Sequence, residues 1–158
     1  MRTLVLGLGN DLAGDDAIGP LVARSLRREL DGVADVVESS ASGMALIEVF
    51  AGYDRAVVID SIRTGRDPPG TVTEMALADV GRVVAPSVHH AGLPELAAVA
   101  ERLGLTFPSQ TCVFAIEVED PYSLGAGLSE PVASAADGLA DRVRERLRRW
   151  GDADRGEG

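Results

Sequence analysis

Cysteine is almost missing from this chain. Cys112 is the only one in 158 residues, so no intrachain disulfide can form, and a reducing cytoplasm suits that count. Aromatic residues are scarce at 4%, against 46% apolar residues in total, so the core must be built from Val, Leu, Ile and Ala. Positive charge is also short: 15 basic residues face 25 acidic ones, for a net charge of −10. Such a surface repels phosphate backbones, which excludes a nucleic-acid partner, while it tolerates cations and basic partners. No apolar run approaches the length needed to cross a bilayer. The N-terminus enters a strand-like run at once, without a charged-then-apolar leader. A soluble cytoplasmic protein with no membrane contact is expected. Neither a GxSxG elbow nor an HExxH pair is present, so conventional serine hydrolase and zincin chemistry have no support. Cys112 lies inside the apolar run Cys112–Ile116, where a thiol acts as a small hydrophobe.

The length fits one domain with a full core. Strands are predicted at Thr3–Leu8, Asp35–Ser39, Arg55–Ile62, Thr71–Met75 and Gln110–Val118. Helices are predicted at Asp16–Leu30, Gly43–Ala51, Leu93–Leu103 and Pro131–Arg149, from apolar residues at helical spacing. The turn-rich stretch Thr64–Gly70 is too short for a parallel crossover, so the fourth strand should run antiparallel. This order predicts an α/β fold, a three-layer α/β/α sandwich around a five-stranded, mostly parallel mixed sheet of the phosphorylase/hydrolase-like kind. Residues 1–150 should form the domain and 151–158 a disordered tail.

In open sheets of this type, ligands bind beyond the carboxyl ends of the strands. Two strand runs end there in acid: Thr3–Leu8 leads through Gly9 and Asn10 to Asp15 and Asp16, and Val57–Ile59 runs into Asp60. The only histidines, His89 and His90, share a later loop. The glycines Gly7 and Gly9 invite a dinucleotide reading, with Glu38 as a ribose ligand. It fails because position 12 is Leu12, and because Asp15 and Asp16 occupy the helix start where a pyrophosphate would rest. Asp15 is read as the helix N-cap. By position, Asp16 is either a favourable charge at a helix N-terminus or a ligand. Asp60 closes a central strand, where a buried charge needs a partner or a metal. Asp, Asp and His form a mixed O/N donor set that suits Ni, Zn, Mn or Fe, and three protein ligands leave open coordination positions.

The segments LVLGLGNDLAGDDAIG (Leu4–Gly19), VVID (Val57–Asp60), PPGTV (Pro68–Val72) and SVHHAGL (Ser87–Leu93) occur in the order and spacing of the [NiFe]-hydrogenase maturation proteases, which this chain resembles from about residue 1 to about 148. The resemblance, to the HybD/HycI-like peptidases of family M52, implies a five-stranded mixed sheet between helices. It also implies an endopeptidase that removes a short C-terminal extension from the hydrogenase large subunit after nickel insertion. The family's metal-contacting positions fall on Asp16, Asp60 and His89, with Asp16 and Asp60 also catalytic. The client would lie against Gly9, Asn10, Ser42 and Gly43. The nickel would come with the client, with no organic cofactor, and the protease would be a monomer or weak homodimer. One departure is visible. Where many members carry D-G-G-T-x-G, this chain has Glu38–Gly43 and keeps only the last glycine, in a loop that the family links to substrate discrimination. Either the metal or a carboxylate such as Asp16 would activate water. The alternative is a nickel-dependent binding protein or chaperone that holds the immature subunit and cuts nothing, with the altered loop as its motive. A weaker alternative is a nucleotide-binding enzyme that uses Gly7 and Gly9.

Overall fold

Five apolar runs become strands of a single sheet. They are β1 (Thr3–Leu8), β2 (Asp35–Ser39), β3 (Arg55–Ile62), β4 (Val72–Met75) and β5 (Gln110–Glu117). The computed structural model describes residues 1–80 and 93–156, apart from 122 and 126. The strand order is β2-β1-β3-β5-β4. The β1–β2, β1–β3 and β3–β5 pairs are parallel, and β4 runs antiparallel on β5. The helices are α1 (Ile18–Leu26), α2 (Ile47–Phe50), α3 (Leu93–Arg102) and α4 (Glu130–Gly156). The mixed, mostly parallel sheet and its flanking helices match the predicted sandwich.

Strict alternation along the strands sorts the core into two layers. Leu4, Leu6, Ala56, Val58, Val113 and Ala115 face one side, against Leu46, Phe50, Leu93 and Leu96 of the α2 and α3 layer. Val5, Val57, Ile59, Cys112, Phe114 and Ile116 face the other, against Ile18, Val22 and Leu26 of α1 and Leu139, Val143 and Leu147 of α4. All eight residues of β3 are buried, as befits the middle strand of a sheet covered on both faces.

The antiparallel return to β4 has a specific anchor. Glu117, buried at the end of β5, accepts hydrogen bonds from the Thr64 and Gly65 main-chain N–H groups and from Thr64 Oγ1, each at 2.8 Å. This carboxylate holds the turn that reverses the chain after β3.

Two helix boundaries differ from the sequence expectation. Residues Gly14–Ala17 form a 3-10 turn, and α1 proper begins only at Ile18 and ends at Leu26. At the other end, α4 continues to Gly156 instead of stopping near Arg149, so residues 151–156 are helical where a disordered tail was expected. The reason is a long-range ion pair. Buried Arg55, at the start of β3, donates to both carboxylate oxygens of Asp154 at 2.8 and 2.6 Å. Its guanidinium also lies over the Trp150 ring, 5.6 Å from the ring centre. Among the described residues, no helix is long and apolar enough to cross a membrane.

The Gly7–Gly19 contact sets how closely α1 approaches the sheet. A Cβ on Gly19 would lie 2.3 Å from the Leu8 carbonyl oxygen and 2.4 Å from that of Ile59, and one on Gly7 would lie 2.4 Å from the Gly19 oxygen. Gly19→Ala should therefore destabilise the fold by about 1–3 kcal/mol, because backbone has to move, read as a lower urea midpoint with an unchanged slope. The hydrogen bond from Arg55 holds the Asp154 carboxyl below its ordinary range. A lowered carboxyl contributes stability above its unfolded value and loses it as pH falls through the folded one. Asp154→Asn should lower Tm at neutral pH, and melting curves in progressively acidic buffer should show this difference vanishing below the ordinary aspartate range.

Candidate functional site

The chain moves outward from β1 to β2 and then crosses back to β3, so the strand order reverses between β1 and β3. In open α/β sheets such a switch point is where the ligand crevice lies, beyond the carboxyl ends of the two strands. Pairing of β1 with β3 stops at Gly7↔Ile59, while β3 stays paired with β5 as far as Ile62↔Glu117. The last residues of β3, Asp60 to Ile62, therefore border the crevice.

Asp16 enters from the 3-10 turn between β1 and α1 and is 8% exposed. Its Oδ2 accepts the Asn10 main-chain N–H at 2.8 Å, and its Oδ1 accepts the Ser61 hydroxyl at 2.8 Å. Asp60 is fully buried on β3, and its Oδ1 accepts the Ser61 main-chain N–H at 2.8 Å. Ser61 thus contacts both acids. Strand alternation explains why. Even-numbered β3 residues face the α2 and α3 layer, which takes Asp60, and odd-numbered ones face α1, which takes Ser61 towards Asp16. Sequence reasoning overlooked Ser61, although its parity with Val57 and Ile59 carried the signal.

His89 and His90 lie outside the described residues. Among those that are described, no group of three or more His, Cys, Asp and Glu side chains is arranged to hold a metal. The structure therefore brings Asp16 and Asp60 to one shared neighbour, Ser61. A carboxylate oxygen has two acceptor positions, so one oxygen can accept a hydrogen bond and face a cation together.

Asp15 does something other than cap its own helix. The turn starts from Ala13, with no side-chain cap bond. The Asp15 carboxylate instead accepts the main-chain N–H and hydroxyl of Ser129, at 2.6 and 2.8 Å, just before α4 begins. An isolated bridge between Ala13 and Leu124 and a Gly125 N–H to Leu12 carbonyl bond tie the same two loops together. Between them lies a cleft of about 230 Å³ lined by Asp15, Glu119, Asp120, Ser123 and Ser129. Its acidic lining opposes polyanions.

The four residues expected to meet a client sit on neighbouring loops. Gly9 follows β1 with φ of 142°, and a Cβ there would lie 2.0 Å from the Asp16 carbonyl oxygen. Its N–H donates to the Ser39 carbonyl at the end of β2, which links its loop to the Ser42–Gly43 loop. Asn10 is exposed, and its side-chain Oδ1 accepts the Leu12 N–H at 3.0 Å. Ser42 is extended, and Gly43, the one glycine kept in that loop, has φ of 58°. Leu12, Met44 and Leu124 expose large apolar side chains on the loops after β1, β2 and β5.

Two rival chemistries lose their residues. Glu38 is bound by Arg24 at 2.5 Å and Arg27 at 2.8 Å, which hold its carboxyl below the usual range and occupy it. It is no ribose ligand. Burial pushes the Cys112 thiol up to about 12, so it is not a nucleophile at neutral pH.

Comparison with known proteins fits this arrangement. The model of the HycI hydrogenase maturation protease family matches residues 20–146. The hydrogenase 2 maturation protease of Escherichia coli is 25% identical over 155 residues, covering 96% of this chain and 93% of its own. The hydrogenase expression/formation protein HupD of Rhizobium leguminosarum bv. viciae is 26% identical over 157 residues, covering 96% of this chain and 77% of its own. The structure of the hydrogenase maturating endopeptidase HybD from E. coli superposes with a TM-score of 0.79 at 25% identity, covering 96% and 94% of the two chains. HybD of Thermococcus kodakarensis, a [NiFe] hydrogenase maturation protease, gives 0.70 at 28% identity, covering 93% and 99%. The family model begins after Asp16, whereas the matches to these relatives take in nearly the whole chain. On the whole-domain match, this chain belongs to the hydrogenase maturation protease family.

Proposed function

We propose that the protein is an endopeptidase that removes the C-terminal extension of a [NiFe]-hydrogenase large-subunit precursor after nickel insertion. The observation that carries this reading is the joining of Asp16 and Asp60 at the sheet's switch point, in a chain of this family.

The nickel arrives with the client and is part of the substrate. Asp16, Asp60 and His89 meet it with two carboxylates and an imidazole, a donor set that fits a borderline divalent ion. This contact registers the scissile peptide against the crevice. The exposed Leu12, Met44 and Leu124 offer apolar contact to the client around the same rim. Gly9, Asn10, Ser42 and Gly43 form the nearby backbone against which an extended segment lies. Asp16 orients or deprotonates the attacking water, as a carboxylate general base would. The protein works in the cytoplasm as a monomer or weak homodimer, which its single, buried Cys112 suits.

The altered loop gives no ground for a binding protein that cuts nothing. Its kept Gly43 occupies a positive-φ position, and among the described residues no residue other than glycine has positive φ, so Ser39, Ser40 and Ala41 stand without that strain.

Mass spectrometry of co-expressed large subunit tests the reading. Nickel-loaded precursor should be shortened and nickel-free precursor left intact. Equal processing of both would overturn the metal-directed reading. Asp60→Asn, which keeps the volume, should reduce cleavage by about 100-fold or more while the protein stays folded.

A further inference from the structure

The two acids come from opposite layers of the molecule. Asp60 lies on the β3 face that packs on α2 and α3, and Asp16 comes from the turn that leads into α1 on the other face. Their relative position therefore needs a part that spans both. Ser61 is 6% exposed and does this with its two donors, the main-chain N–H to Asp60 and the hydroxyl to Asp16.

We propose that Ser61 is a positioning residue that locks the Asp16 and Asp60 carboxylates into one rigid unit and so sets their geometry towards the client's metal. The inference rests on the reading of those two acids as the metal-facing pair. Asp16 has a short side chain with two torsions. Donors on its two different oxygens, Asn10 N–H on Oδ2 and Ser61 Oγ on Oδ1, fix both the direction of the carboxylate and its plane. Asn10 lies on an exposed loop, whereas Ser61 belongs to the central strand, fixed by its pairing with Ile116. The serine hydroxyl thus transfers the rigidity of the sheet to an acid carried by a turn. Asp60 needs no such help, since the main-chain N–H of the next residue holds it whatever side chain stands at 61. Partners that orient metal-binding groups in this manner commonly change affinity or activity by about 10–100-fold when removed.

The test uses the full chain with Ni²⁺ alone, read by calorimetry, and with nickel-loaded precursor, read by cleavage. Ser61→Ala removes only the hydroxyl. It should weaken Ni²⁺ binding and lower kcat/KM, each by about 10-fold or more. Ser61→Thr keeps a hydroxyl and should restore most of both. In an Asp16→Ala background, Ser61→Ala should cause no further loss of Ni²⁺ binding, because the serine acts through Asp16. A folded Ser61→Ala with wild-type kcat/KM and Ni²⁺ affinity overturns the proposal, as does a folded Ser61→Thr as defective as the alanine variant. If the alanine variant fails to fold, Ser61→Cys against Ser61→Thr decides: a clear deficit in the thiol variant alone supports the proposal, and equal function of the two overturns it. Asp16→Ala and Asp60→Ala separate the two levels. If both bind Ni²⁺ and cleave like wild type, the two-acid site itself is wrong. If both fail while Ser61→Ala does not, only the role of the serine is wrong.

Discussion

The approach of α1 to the two central strands governs most of what lies at the crevice. Gly19 rests its backbone against the carbonyl oxygens of Leu8 and Ile59, at distances where no side chain fits. That contact places the start of α1 over the carboxyl ends of both strands at once. The preceding turn, Gly14–Ala17, then has little freedom, and Asp16 arrives beside Ser61 while Asp15 reaches Ser129. A bulkier residue at 19 would lift the helix, and with it the turn, off the sheet. The glycines that look like a nucleotide signature in the sequence serve a packing need of this kind.

Electrostatics and topology act together there. The chain is strongly acidic as a whole, and the crevice concentrates two buried carboxylates on neighbouring elements. Buried charge is costly unless it is hydrogen-bonded or paired, and the donors of Asn10 and Ser61 meet part of that cost. A cation presented by a partner lowers it further, whereas a polyanion would add to it. Arg24 and Arg27 pair with Glu38 on β2, so the positive groups of that cluster are already committed.

Much of the fold was legible because its signals are local. The apolar runs of β1, β3 and β5 mark buried strands, and the short Thr64–Gly70 connection forces β4 to run antiparallel. Asp60 could be picked out because a carboxylate that closes an apolar central strand is buried there and must be compensated. What escaped depends on partners remote in the chain. Asp15 looks like an N-cap until Ser129, 114 residues later, comes beside it. Gly151 to Gly156 reads as a loose tail until Arg55 binds Asp154 across 99 positions. Ser61 lies between: strand parity places it on the face of α1, but only the folded turn puts Asp16 within its reach. The imidazole of the expected trio, His89, falls outside the described residues, so only Asp16 and Asp60 of that trio can be located.

The pinning of α4 also has a practical side. Arg55 stands at the first position of β3 and Asp60 near its end, so the strand separates them by about 17 Å. The last turn of α4 is clasped at the far pole of the sheet from the crevice. A fluorophore or surface linker attached to that turn would sit on a rigid mount at the opposite pole of the sheet from Asp60, and would leave the two acids untouched.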